Sequence, residues 1–158
     1  MRPEQTPIGL HLARTARLVG RAFDDALAEA EGSLPVWLVL LNLTIQQDAN
    51  QRQLAEAVGV SEATLTHHLN AMEKDGLLTR RRDPTNRRNH IIELTATGEA
   101  AFARLAAAAA AFDHRLRGHF DAADLITLRE LLDQLSQNVG SSAGPAWAGL
   151  IEAAVDEA

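Results

Sequence analysis

The order of elements between Val60 and Leu94, VSEATLTHHLNAMEKDGLLTRRRDPTNRRNHIIEL, constrains this chain more than any other feature. Ser61 stands where a helix N-cap belongs, and its hydroxyl can accept a bond from a first-turn backbone N–H. Leu65, Leu69 and Met72 then recur at helical spacing, and Gly76 closes the helix. LLTRRR and HIIELT read as two strands, and the DPTNRRN between them holds Asp, Pro and Asn, all turn formers. Upstream, QRQLAEAVG reads as a short helix with a small apolar face of Leu54, Ala55 and Val58. Gly59 sits at its end, where a left-handed residue is wanted. Two short helices joined by a tight turn and followed by a basic hairpin make a winged helix-turn-helix. The expected class is mainly α with a small β-hairpin wing. Such a unit sets one helix in a DNA major groove with a cationic loop beside it.

The rest of the chain reads as what positions that unit. Leu12, Ala16, Val19, Phe23, Leu27 and Ala30 form one helical face, which predicts a helix over about 5–31 with Gly32 as its stop. PVWLVLLNLT is apolar nearly all round and predicts a central buried helix. After Thr95 come Phe102, Leu105, Ala109, Phe112 and Leu116. Beyond the cap residue Asp121 come Leu125, Leu128, Leu132, Leu135 and Val139. Spacings of three and four sustained over two helices predict a coiled-coil-like seam. The expected organisation is one domain over 1–140. Its DNA-binding lobe spans about 35–95, and its dimerisation helices span about 5–31 and 96–139. Residues 141–158 follow as an extension, read either as a short docked helix or as a tail.

Composition narrows the function classes. The 158 residues include no cysteine, so disulfides, thiolate metal sites and cysteine redox switches are excluded. No apolar run reaches the roughly 20 residues that cross a bilayer, and the N-terminus lacks a signal-peptide core. A cytoplasmic protein with no membrane partner is expected. The net charge of −6 runs against nucleic-acid binding. Its distribution does not: five arginines stand against one aspartate between Leu77 and His90. A polar molecule with one basic end approaches DNA by that end.

The run TLTHHLNAMEKDGLLTRRRDPTNRRNHIIELTATG resembles the multiple-antibiotic-resistance regulator (MarR) family. The matching pieces are Thr64-Leu65-Thr66, Gly76 with Leu77 and Leu78, Arg80, the wing Asp83-Pro84-Thr85-Asn86-Arg87-Arg88, and Leu94-Thr95 with Gly98. The order of elements agrees over roughly 10–139. The resemblance implies homodimeric, ligand-responsive transcriptional regulators, often repressors, that dimerise through their terminal helices. Small anionic or aromatic effectors often bind between the dimer helices and the DNA-binding lobe. This chain has Asn86 where the family usually has an Asp that pairs with a wing arginine. Asn carries no charge, so the wing gains net positive charge and loses one brace.

On this reading Thr64, Thr66, His67 and Asn70 face the major groove, where hydroxyls and amides read base edges and Asn pairs with adenine, while Ser61 is both a helix cap and a phosphate neighbour. The alternative for these residues is phosphate contact alone, which positions without specifying. Arg80, Arg81, Arg82, Arg87 and Arg88 are the wing cations. Arg87 is expected at the tip, where a guanidinium can enter a narrow minor groove. Arg88 can instead fold back to hold the wing. Successive strand residues face opposite sides, so at least one of Arg80, Arg81 and Arg82 points away from DNA. His11, Arg14, Trp37, Leu41 and Phe112 are the expected effector pocket, an arginine near aromatics suiting a carboxylated ring. The alternative is that Trp37 is plain core and Arg14 exposed.

No metal site, cofactor or catalytic constellation is expected. His67 and His68 are adjacent and diverge by about 100° on a helix. No phosphate loop, catalytic triad or carboxylate pair stands out. The expected partners are duplex DNA with an inverted-repeat operator, a second copy of the chain and a small effector. The rival reading is a winged-helix protein-interaction module without DNA binding.

Overall fold

A computed structural model of the chain describes residues 7–45, 50–82 and 90–140. Helices run over Ile8–Glu29 (α1), Leu34–Ile45 (α2), Gln51–Val58 (α3) and Glu62–Lys74 (α4). Strands Leu78–Arg82 (β1) and His90–Leu94 (β2) follow, then helices Ala96–Arg117 (α5) and Ala122–Asn138 (α6). The expected wing tip, 83–89 with Asn86, Arg87 and Arg88, and the extension 141–158 lie outside the described residues.

The centre is α2. Every residue from Trp37 to Leu43 is buried, as its unbroken apolar run requires. The one polar member, Asn42, donates from Nδ2 to the Leu38 carbonyl at 2.7 Å. Around α2 pack α3, α4, β2, α5 and the end of α1. Leu54, Leu65, Leu69, Met72, Leu78 and Ile92, all at most 1% exposed, close the core on the hairpin side.

The local stops explain the turns. Gly59 adopts φ 76, and its N–H bonds the Ala55 carbonyl, so α3 ends in the left-handed residue expected there. At the end of α1 the left-handed residue is Glu31, with φ 59, rather than Gly32. The Gly32 N–H closes the turn on the Leu27 carbonyl at 2.9 Å. Gly32 is needed for a different reason: a Cβ there would run into the side chain of Leu105. It lets α5 approach the α1–α2 corner.

The hairpin is antiparallel, with Leu78 opposite Leu94, Arg80 opposite Ile92 and Arg82 opposite His90. The Leu94-Thr95…Gly98 motif then locks it to the helices. The Thr95 side chain accepts from the Gly98 N–H at 3.0 Å, capping α5, and donates to the Gly76 carbonyl at 2.5 Å. The Thr95 N–H donates to the Leu77 carbonyl at 3.1 Å. A Cβ on Gly98 would collide with that same carbonyl, so glycine is the residue that lets α5 start against the end of α4.

Outside the lobe the chain is open. α5 packs on α1 and α2, with Phe102 stacked on Trp37 at 5.5 Å and Phe112 against Phe23 at 5.0 Å. Asp121 caps α6 as the sequence predicts, in a capping box with Asp124, yet α6 contributes no buried residue. Of the expected seam, Leu128, Leu132 and Val139 are exposed and Leu125 and Leu135 half-buried, so most of that face is uncovered in the protomer.

Candidate nucleic-acid interface

Helix α4 presents a defined outer surface. Leu65, Leu69 and Met72 point into the core. At about 100° per residue, Ala63, His67, Asn70 and Lys74 fall on the opposite side, and all four are exposed. Ser61 caps the helix by accepting from the Thr64 N–H at 3.1 Å, and the two hydroxyls lie 2.9 Å apart. Ser61 and Thr64 thus sit together at a helix N-terminus, where the backbone dipole favours an anion.

Thr66 is placed differently from the expectation. Its hydroxyl accepts from Gln51 Nε2 at 2.6 Å and donates to the Glu62 carbonyl at 2.8 Å. It is part-buried and ties α4 to α3 rather than standing on the outer stripe. Lys74, which the sequence reading passed over, stands on that stripe. Its spacing of seven from His67 and four from Asn70 was the available signal.

The three arginines of β1 divide their work. Arg80 is the inward one, two residues on from buried Leu78. Its Nε and Nη2 donate to Glu73 Oε2 at 3.0 and 2.5 Å, and its Nη2 also donates to Asn70 Oδ1 at 2.6 Å. Its backbone N–H donates to Glu73 Oε1 at 3.3 Å. With a side chain only 20% exposed, Arg80 is committed to holding the wing strand against α4 and is not the exposed cation expected. The Arg80 hydrogen bond lowers the Glu73 carboxyl pKa. Arg81 pairs with Glu93 on the neighbouring strand at 2.9 Å, on an exposed face, and that bond lowers the Glu93 pKa. Arg82 is exposed and in no ion pair among the described residues. The strand therefore offers less unneutralised charge than its three arginines suggest.

The expected effector residues are not brought together in one groove. Trp37, Leu41 and Phe112 are buried in the core, whereas His11 and Arg14 are on the exposed first half of α1. Trp37 keeps one irregularity: its buried indole N–H has no acceptor among the described residues. His11 does line a groove, of about 450 Å³, between α1 and α6 with Ile8, Leu12, Leu128, Leu131 and Leu132. A second groove of about 470 Å³ lies between the end of α2, β2 and α5, lined by Leu43, Ile92, Glu93, Glu99 and Phe102.

Known proteins share this arrangement. The model of the MarR family matches residues 33–90, from the start of α2 into β2. The transcriptional repressor CouR, solved bound to a 23-mer DNA duplex, is 28% identical with a TM-score of 0.74, over 82% of this chain and 92% of that one. The M. tuberculosis regulator MOSR, solved in complex with DNA, is 25% identical with a TM-score of 0.66, over 85% and 96%. The PcaV regulator from Streptomyces coelicolor, in complex with its natural ligand, shares the fold at 22% identity and a TM-score of 0.71, over 85% and 98%. With the helix-turn-helix, the hairpin strands and the flanking helices all in place, the chain matches the MarR family over residues 33–90 and has the fold of these regulators.

Proposed function

We propose that this chain is a homodimeric, sequence-specific transcriptional regulator of duplex DNA, acting as a repressor released by a small ligand. The observation that carries this is the exposed stripe of α4, Ala63, His67, Asn70 and Lys74, set beside a wing strand clamped to the same helix through Arg80 and Glu73. A rigid pairing of recognition helix and hairpin suits simultaneous contact with a major groove and the adjoining backbone. CouR, at 28% identity, is a repressor solved on DNA, which supports the same use here.

The roles follow from placement. His67, Asn70 and Lys74 meet base edges or phosphates in the major groove. Ser61 and Thr64 hold a phosphate at the start of α4, where peptide N–H groups and dipole favour it. Arg82 contacts the backbone, with Arg81 exchanging between Glu93 and phosphate. Arg87 and Arg88 lie outside the described residues, and the family resemblance alone supports minor-groove contact for Arg87. Arg80 and Thr66 position these groups and do not touch DNA.

Dimerisation uses the uncovered leucines of α1 and α6, which bring two α4 helices to the half-sites of an inverted repeat. An anionic or aromatic effector that favours the wrong spacing of those helices shifts the population off DNA. His11 and Arg14, on the exposed part of α1, are the members of the expected pocket left to meet it. The reading assigns no catalysis to the chain and a cytoplasmic location. Among the described residues no single helix is long and apolar enough to cross a membrane. Selection of bound fragments from a random duplex pool tests the proposal. An inverted-repeat site with salt-dependent affinity is expected, and the absence of any duplex enriched above background contradicts it.

A further inference from the structure

The bond between Arg80 Nη2 and Asn70 Oδ1, 2.6 Å long, decides more than the position of a side chain. A guanidinium has five donors and no acceptor, so the atom of Asn70 facing it must be the amide oxygen. Arg80 is itself fixed, through three bonds to the Glu73 carboxylate. The amide of Asn70 therefore cannot turn over without placing its NH₂ group against guanidinium donors. Asn70 stands on the exposed stripe of α4, and its Nδ2 has no partner among the described residues. What it offers outward is a donor.

We infer that Asn70 is a specificity-determining residue that reads guanine, its amide polarity set by Glu73 and Arg80. An asparagine pairs with adenine by presenting oxygen and nitrogen together, accepting from N6 and donating to N7. Here the oxygen is turned back to Arg80, so the adenine N6 group would meet no acceptor. Guanine presents N7 and O6, two adjacent acceptors, to the outward NH₂. The adenine pairing expected from the sequence is thus replaced by a donor-only reading. A wing arginine, without touching a base, selects which base α4 accepts. The inference rests on the DNA-binding reading above.

The test is base preference, measured by binding of the full chain to duplexes varied at each position of its selected site. The wild-type protein should favour guanine over adenine by about tenfold at one position in each half-site. Asn70→Ala should flatten that position and leave the others. Asn70→Asp keeps an acceptor for Arg80, so the fold is retained, but it presents a carboxylate outward. Its preference at that position should move from guanine to cytosine, whose N4 group donates. Arg80→Met frees the amide and should bring adenine to within about twofold of guanine, because both orientations of the amide become available. If that variant fails to fold, Asn70→Asp alone decides. A selective wild-type protein whose guanine preference survives Asn70→Asp, or in which Asn70→Ala alters no position, overturns the inference and leaves DNA binding intact. A wild-type protein with no selective binding overturns the functional reading, and the inference with it.

Discussion

The lobe from α2 to β2 and the pair of outer helices α1 and α6 are built from similar apolar repeats with opposite outcomes. In the lobe, Leu54, Leu65, Leu69 and Ile92 are sealed from solvent within one protomer. On the outer helices, Leu12, Leu128, Leu131 and Leu132 remain exposed, the last three on a helix with no buried residue at all. The lobe's core is completed within one protomer, by Leu27 of α1 and Leu105 of α5, whereas the apolar face of α1 and α6 is left without a partner in that protomer. Periodicity identifies a face to be covered and says nothing about which chain covers it.

The contrast is broken most severely by charging the open face. Leu128→Asp combined with Leu132→Asp should give monomers and weaken operator binding by about 10²–10⁴-fold, the loss expected when two linked half-sites become one. Circular dichroism of the variant should show the lobe still folded, because α6 buries nothing against it. An unfolded protein would mean that α6 supports the lobe after all.

A milder comparison uses truncation. Leu69→Ala should cost about 2–5 kcal/mol through the cavity it leaves. That cost is a property of the lobe and independent of protein concentration, whereas the effect of Leu131→Ala should shrink as protein is diluted below the dimer dissociation constant, since association stabilises by mass action. Urea unfolding at several protein concentrations separates the two. Equal concentration dependence would remove the distinction. Gly98→Ala acts within the lobe, where its Cβ meets the Leu77 backbone carbonyl, and overpacking of this kind costs about 1–3 kcal/mol. Thermal melting checks this.

The smallest effect concerns pH. The bond from Arg80 depresses the Glu73 pKa, so its stabilising contribution is complete above the unfolded carboxylate value. It is lost as pH falls through the lower folded value. Wild-type melting temperature should therefore fall more steeply on the acid side than that of Glu73→Gln. Parallel acid limbs for the two proteins would show that the pair contributes nothing to folding.

Much of the lobe was legible in the sequence because its signals are local. Ser61 caps α4, Gly59 takes the left-handed turn, and Leu65, Leu69 and Met72 mark the buried side. The misplacements come from partners distant along the chain or across a surface. Thr66 looked outward until Gln51, fifteen residues away, engaged its hydroxyl. Arg80 looked like one of three wing cations, although its place two residues after core Leu78 already turned it inward. No propensity reports that Glu73 would be waiting there. Trp37, Leu41 and Phe112 were grouped with His11 and Arg14 as one pocket on the family pattern. Packing divided them instead between the core and the open helix, because α2 is surrounded on all sides.

The central claim is that a reading lobe whose core is complete within one protomer is paired with a second copy through the open helices. Footprinting on the site selected from random duplexes tests it most directly. The account predicts two protected half-sites related by a two-fold axis, about one helical turn apart, occupied by two chains. A single asymmetric site bound at full affinity by one chain would contradict it.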